Sequence, residues 1–131
     1  MKTVTVNASK KYDILIGTDL LSRTGQQLRR LAKAEKVCLV SDSTVFSLYG
    51  SLVEESIADA GFDVARFVFP AGEQHKNAET YFSLLNHLAG EKLTRTDIIV
   101  ALGGGVVGDL AGFAAATYLR GIRFEIGRAH V

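Results

Sequence analysis

The chain has 131 residues, 47% of them hydrophobic, with a single proline, which excludes a disordered segment and fits one domain. Its 15 basic and 14 acidic side chains leave a net charge of +1, so neither nucleic acid nor an anionic membrane surface is an expected partner. Cys38 is the one cysteine, which allows no internal disulfide; the start, "MKTVTVNASKKYD", has no apolar core of signal-peptide length, and the longest uncharged stretch, Ile98 to Gly108, is too short to span a bilayer, so a cytoplasmic protein is expected.

In chain order, "KTVTVNA" alternates and "YDILIG" follows a short polar break, which predicts two strands, arranged as a hairpin. "TDLLSRTGQQLRRLAK" carries Leu20, Leu21, Leu28, Leu31 and Ala32 on one helical face, with Thr18 or Asp19 as its cap. "KVCLVSD" is a short continuous apolar run, as in a strand covered on both faces, and Cys38 inside it reads as a small core residue. A helix then runs from Ser43 to Gly61, and the strand "FDVARFVFP" is stopped by Pro70. "NAETYFSLLNHLAGEKL" predicts a helix with Tyr81, Leu84, Leu85 and Leu88 together and His87 at the surface. "TDIIVAL" is the next strand, and Gly104 to Gly121 the last helix. Such alternation predicts an α/β domain, Rossmann-like, with a mainly parallel sheet and helices on both faces.

In such sheets, ligands bind beyond the carboxyl ends of the strands, where the strand order reverses. Three strand ends carry polar or glycine-rich text: "SDST", "PAGEQHKN" and "GGGVVGD", which are expected to converge on one edge. Gly103, Gly105 and Gly108 satisfy G-x-G-x-x-G between a strand and a helix, a spacing that lets backbone N–H groups and the helix dipole meet a pyrophosphate. A plain tight turn also satisfies it, and the motif comes late in the chain, unlike a standard Rossmann fingerprint. Asp42 either accepts hydrogen bonds from ribose hydroxyls or, like Ser43, caps the following helix. Glu73 and Lys76 either meet a nucleotide or form a solvated loop pair, with His75 between them. Arg120 either complements a helix C-terminus or grips a phosphate bidentately. His75, His87 and His130 lack matching carboxylates, so no metal site is expected within the chain.

Taken together, "PAGEQHKN" and "ALGGGVVGDLAGFAAATYLRGIRF" resemble two segments of the 3-dehydroquinate synthase family, over about Met1 to Phe124. Glycerol dehydrogenase-like and iron-dependent alcohol dehydrogenase proteins are related in fold and share a G-G-G-x-x-x-D turn, but lack this combination. The resemblance implies an N-terminal α/β domain that holds NAD⁺ and a helical C-terminal domain that supplies a divalent metal, zinc or cobalt. It implies a phosphorylated sugar substrate, 3-deoxy-D-arabino-heptulosonate 7-phosphate, from which phosphate is eliminated after transient oxidation of a hydroxyl. By matching positions, Asp42, Glu73, Lys76, Gly104, Gly105, Val106 and Asp109 would contact the cofactor and Arg120 the substrate phosphate.

After Phe124 the chain departs from the family pattern. "EIGRAHV" is read as a non-family tail at a truncation, in which Gly127 and Arg128 break the strand pattern. The expected organisation is therefore an NAD-binding domain over 1–124, a tail over 125–131, and no metal-binding domain or catalytic residue in the chain. The whole protein would be the enzyme, and this chain inactive alone. Three alternatives stand beside this: a related sugar-phosphate cyclase, a glycerol dehydrogenase-like protein, or a stand-alone nucleotide-binding or assembly module that forms a homodimer through the small-residue helix "LAGFAAATYL".

Overall fold

The computed structural model describes residues 2–7, 11–16, 23–31, 34–94, 96–118 and 123–128. Strands β1 (Lys2–Asn7) and β2 (Lys11–Ile16) pair antiparallel as a hairpin. There follow α1 (Thr24–Leu31), β3 (Lys36–Asp42), α2 (Ser43–Val45), a π-helical segment (Phe46–Gly50), α3 (Ser51–Asp59) and β4 (Asp63–Phe69). A 3₁₀ turn (Glu73–His75), α4 (Ala78–Gly90), β5 (Ile98–Leu102), α5 (Gly105–Thr117) and β6 (Arg123–Arg128) complete the order. The sheet has six strands in the order β1-β2-β6-β5-β3-β4, and every pairing except β1 with β2 is parallel.

The apolar run read as a doubly covered strand, β3, is so, and β5 is buried in the same way. Successive residues of β3 and β5 point to opposite faces. Val37, Leu39, Ile98, Val100 and Leu102 join Leu28, Val53 and Ile57 on one face, beneath α1 and α3. Cys38, Val40, Ile99 and Ala101 join Leu84, Leu88, Leu110, Ala111 and Ala114 on the other, beneath α4 and α5. Each large side chain so buried contributes about 1.5–3 kcal/mol. The small residues of α5 let it lie close on the sheet: Ala111, Ala114 and Ala115 are all buried.

Helix ends follow local chemistry. Gly61, at φ +94°, closes α3 with bonds from Gly61 N to Ala58 O and from Phe62 N to Ile57 O. The expected helix over 43–61 is interrupted by the π-helical turn at Phe46, whose ring lies where a Cβ on Gly50 would sit. β5 begins at Ile98 and not at Thr96, because the buried Asp97 carboxylate turns the chain: it accepts from Lys36 N at 3.0 Å and Thr94 N at 2.8 Å. The caps expected at Thr18 or Asp19 lie outside the described residues.

One expectation fails in this region. Gly127 and Arg128 do not break a strand, because β6 runs through both in the interior of the sheet. Gly127 is paired with Leu102 on one side and Leu15 on the other. A ladder is a property of backbone groups, and two flanking strands supply partners that a local pattern does not reveal.

Candidate functional site

The strand order places β4 on one side of β3 and β5 on the other, so the order reverses between β3 and β5. Ser41 pairs with Leu102 in the ladder, and its Oγ donates to Leu102 O at 2.7 Å. That buried bond holds the two carboxyl ends together, with Asp42 continuing from one and Gly103 from the other. Asp42 also pairs with Phe69 at the end of β4, and Ser43 Oγ accepts from Ala71 N at 3.0 Å. The three polar strand ends therefore converge on one edge, as expected from the text of the chain.

The glycines of the turn divide their roles. Gly103 has φ +150°, and a Cβ there would lie 2.8 Å from Val107 Cγ2, so the turn itself requires glycine. At Gly104, Gly105 and Gly108, by contrast, a Cβ would meet no atom within 4 Å. Packing among the described residues does not explain why these three positions are bare. Gly104 is the N-cap and makes no side-chain capping bond; the first helical bond runs from Gly108 N to Gly104 O at 3.0 Å. The N–H groups of Gly105, Val106 and Val107 thus lie in the first turn, ahead of the helical ladder, at the positive end of the helix dipole. The first turn of α5 also carries no acidic residue.

Asp42 caps the next helix: its Oδ1 accepts from Val45 N at 2.8 Å. The capping reading thus holds, and Oδ2 has no hydrogen-bond partner among the described residues, which leaves it able to accept from a ligand hydroxyl. Glu73 is exposed in the 3₁₀ turn that follows Gly72, whose φ of +127° needs glycine. Lys76 Nζ donates to Asp109 Oδ2 at 2.7 Å, across 33 positions of sequence. The Asp109 carboxylate, first through that hydrogen bond and then through its charge, raises the Lys76 ammonium above its ordinary pKa. Lys76 was expected either to meet a nucleotide or to form a solvated loop pair with Glu73; its partner in the structure is instead Asp109, on the helix that begins at the glycine turn.

Other candidates stand apart. His75 is half-buried in a groove lined by Phe67, Phe69 and Thr80, on the outer side of the edge strand β4. His87 is not at the surface as expected: it is half-buried, its ring 5.6 Å from that of Phe67, and its Nε2 is buried with no hydrogen-bond partner among the described residues. Arg120 and His130 lie outside the described residues. Among the described residues no group of three or more His, Cys, Asp or Glu side chains could hold a metal, and no helix is long and apolar enough to cross a membrane. Sequence reasoning passed over Ser41, whose hydroxyl joins the two strand ends; a serine closing an otherwise apolar run is the signal it left.

Comparison with known proteins agrees with this geometry. Residues 66–126 match the family model described as 3-dehydroquinate synthase N-terminal. The chain is 45% identical over 124 residues to 3-dehydroquinate synthase of Enterococcus faecalis, a match covering 95% of this chain and 35% of that protein. The chain therefore spans about a third of the length of this curated relative. A crystal structure of 2-deoxy-scyllo-inosose synthase, complexed with carbaglucose-6-phosphate, NAD⁺ and Co²⁺, superimposes with a TM-score of 0.80 at 25% identity, over 95% of this chain and 34% of that one. One of 2-epi-5-epi-valiolone synthase from Streptomyces hygroscopicus, with NAD⁺ and Zn²⁺ bound, gives 0.74 at 28% identity, over 94% of this chain and 34% of that one. With the glycine turn, the converging strand ends and these matches on the page, the chain is similar to the N-terminal part of 3-dehydroquinate synthases.

Proposed function

We propose that this chain is the NAD⁺-binding part of a 3-dehydroquinate synthase. In the whole protein it would serve the conversion of 3-deoxy-D-arabino-heptulosonate 7-phosphate to 3-dehydroquinate and phosphate. The observation that carries the reading is the bare first turn of α5: Cβ positions at Gly104, Gly105 and Gly108 face open space, and no side chain caps the N-terminus. A diphosphate fits there because it needs N–H donors, a positive dipole and close approach of backbone. NAD⁺, when bound, supplies transient oxidation of a substrate hydroxyl. The chain's own residues bind and orient it. Gly104, Gly105 and Val106 offer backbone, while Asp42 and Glu73 accept from ribose hydroxyls. Lys76 and Asp109 frame the diphosphate and the adjoining ribose.

Arg120 would grip the substrate phosphate. The divalent metal and the groups that act on the substrate would come from the part of the protein that this chain does not span, so the chain alone would be inactive. A second reading, a cyclase acting on another sugar phosphate, draws on the structural neighbours. The higher identity to 3-dehydroquinate synthase favours the first.

Calorimetric titration of the chain with NAD⁺, beside a Gly105→Asp variant, tests the cofactor reading. Binding by the parent chain that the variant loses is expected. Absence of heat at millimolar NAD⁺, or superimposable curves, would count against it.

A further inference from the structure

We propose that Ser41 is a positioning residue: its buried hydroxyl fixes the spacing between the Asp42 carboxylate and the glycine turn, so that one ligand spans both. This rests on the nucleotide-binding reading above. The two arms of the site leave different strands. Asp42 continues from β3 in extended backbone, at φ −94° and ψ 167°, and turns into α2. Gly103 continues from β5 at φ +150° and leads into α5. The ladder between β3 and β5 ends at the pair Ser41 and Leu102, and the chains part beyond it. At that fork Ser41 Oγ lies 2.7 Å from Leu102 O and 3.4 Å from Asp42 O. A hydroxyl has one proton to donate, and the shorter bond, across the fork, takes it.

Past the fork the arms are seated on opposite faces of the sheet. Val45, whose N–H the Asp42 carboxylate caps, packs with Val37, Leu39 and Val53. Val107, in the first turn of α5, packs with Val40, Ala101 and Leu110. A side-chain bond at the point of divergence therefore ties together two segments that the core pulls apart. Ser41 has no exposed surface, so water does not compete for that bond. Its neighbours on the same face of β3, Val37 and Leu39, are apolar, and packing alone would be served by an apolar residue there. A ligand with groups for both arms binds best where their separation is set beforehand, because ordering them on binding subtracts from affinity.

Dissociation constants for NAD⁺, measured on the 131-residue chain with urea unfolding of each protein alongside, test this. Ser41→Ala is expected to weaken NAD⁺ by about three- to tenfold, the scale of one buried hydrogen bond. Ser41→Cys, similar in size but a weak donor, is expected to do the same, and stands in for the alanine variant if that one does not fold. Ser41→Thr keeps the hydroxyl and is expected to bind as the parent does. Asp97→Ala removes a buried carboxylate just before β5, at the opposite edge of the sheet, and is expected to lose stability with NAD⁺ binding unchanged. Asp42→Asn keeps a capping oxygen and removes the free one. Adding Ser41→Ala to it is expected to weaken NAD⁺ by less than about twofold more, because the spacing that Ser41 fixes then serves no second contact. Unchanged binding in the alanine and cysteine variants, a threonine variant as weak as they are, an equal loss in Asp97→Ala, or the full loss from Ser41→Ala on the Asp42→Asn background would each overturn the inference while leaving the nucleotide site standing. A parent chain that binds no NAD⁺ would overturn the site itself and this inference with it.

Discussion

Glycine at a helical position is ordinarily a loss, so the bare turn of α5 predicts that stability and binding move in opposite directions. Gly108 lies in the helix interior, its φ is not positive, and a Cβ there meets nothing within 4 Å. Gly108→Ala should therefore stabilise the chain by about 0.5–1 kcal/mol, the usual gain of alanine over glycine in a helix. For a chain of this size that raises the melting temperature by roughly 2–5 °C. Gly105→Asp adds a carboxylate to a first turn that has no acidic residue. Its interaction with the helix dipole is favourable by about 0.3–1 kcal/mol. The same carboxylate repels a diphosphate. Urea unfolding followed by circular dichroism gives the stability of each variant, and titration with NAD⁺ gives the binding. Both variants should be at least as stable as the parent, with Gly105→Asp losing the cofactor. If another part of the chain filled that space in solution, both would instead lose stability, on the order of the 1–3 kcal/mol that overpacking costs. That result would refute the reasoning.

Burial, and next the charge of Glu91, push the Cys38 thiol up to about 12. The folded state thus holds its proton more tightly than the unfolded state. This contribution to stability is complete below the unfolded thiol's pKa of roughly 8.5 and falls by about 1.4 kcal/mol per pH unit above it, until the folded value is reached. Unfolding midpoints at pH 7, 9 and 10 should decline less steeply in Cys38→Ala, and alkylation of the folded parent at pH 8 should be slow. Asp97→Ala removes a buried carboxylate that accepts from Lys36 N, Thr94 N and Thr94 Oγ1. Leaving those donors unpaired should cost about 2–3 kcal/mol in chemical denaturation, and a loss under 0.5 kcal/mol would show that water satisfies them.

The legible parts of the fold were those set by local rules. Continuous apolar runs gave β3 and β5, because strands buried on both faces leave no polar alternation, while the edge strand β4 was marked by its β-branched and aromatic residues before Pro70. Asn77 caps α4 through Thr80 N, and Gly61 closes α3; both effects lie within one turn of the residue concerned. The converging strand ends were legible because parallel connectivity puts all carboxyl ends on the same edge.

Three features were not legible. The strand through Gly127 and Arg128 depends on two flanking strands distant in sequence. The Lys76–Asp109 pair joins positions 33 apart, and nothing in either segment names the other. His87 carries a polar ring on a helix and reads as surface, yet Phe67 from β4 packs against it. Each arises from tertiary packing that overrides a correct local propensity. Asp42 shows a different limit: the capping bond uses one oxygen of its carboxylate, so capping does not exclude the proposed contact with a ligand hydroxyl through the other.

Backbone amide resonances, followed while NAD⁺ is added to the ¹⁵N-labelled chain, test the nucleotide site most directly. The amides of Gly105, Val106 and Val107 should move first and furthest, with Lys76 and Asp42 following in the same saturation curve. Shifts confined to other surfaces, with the head of α5 unmoved at saturation, would contradict the assignment.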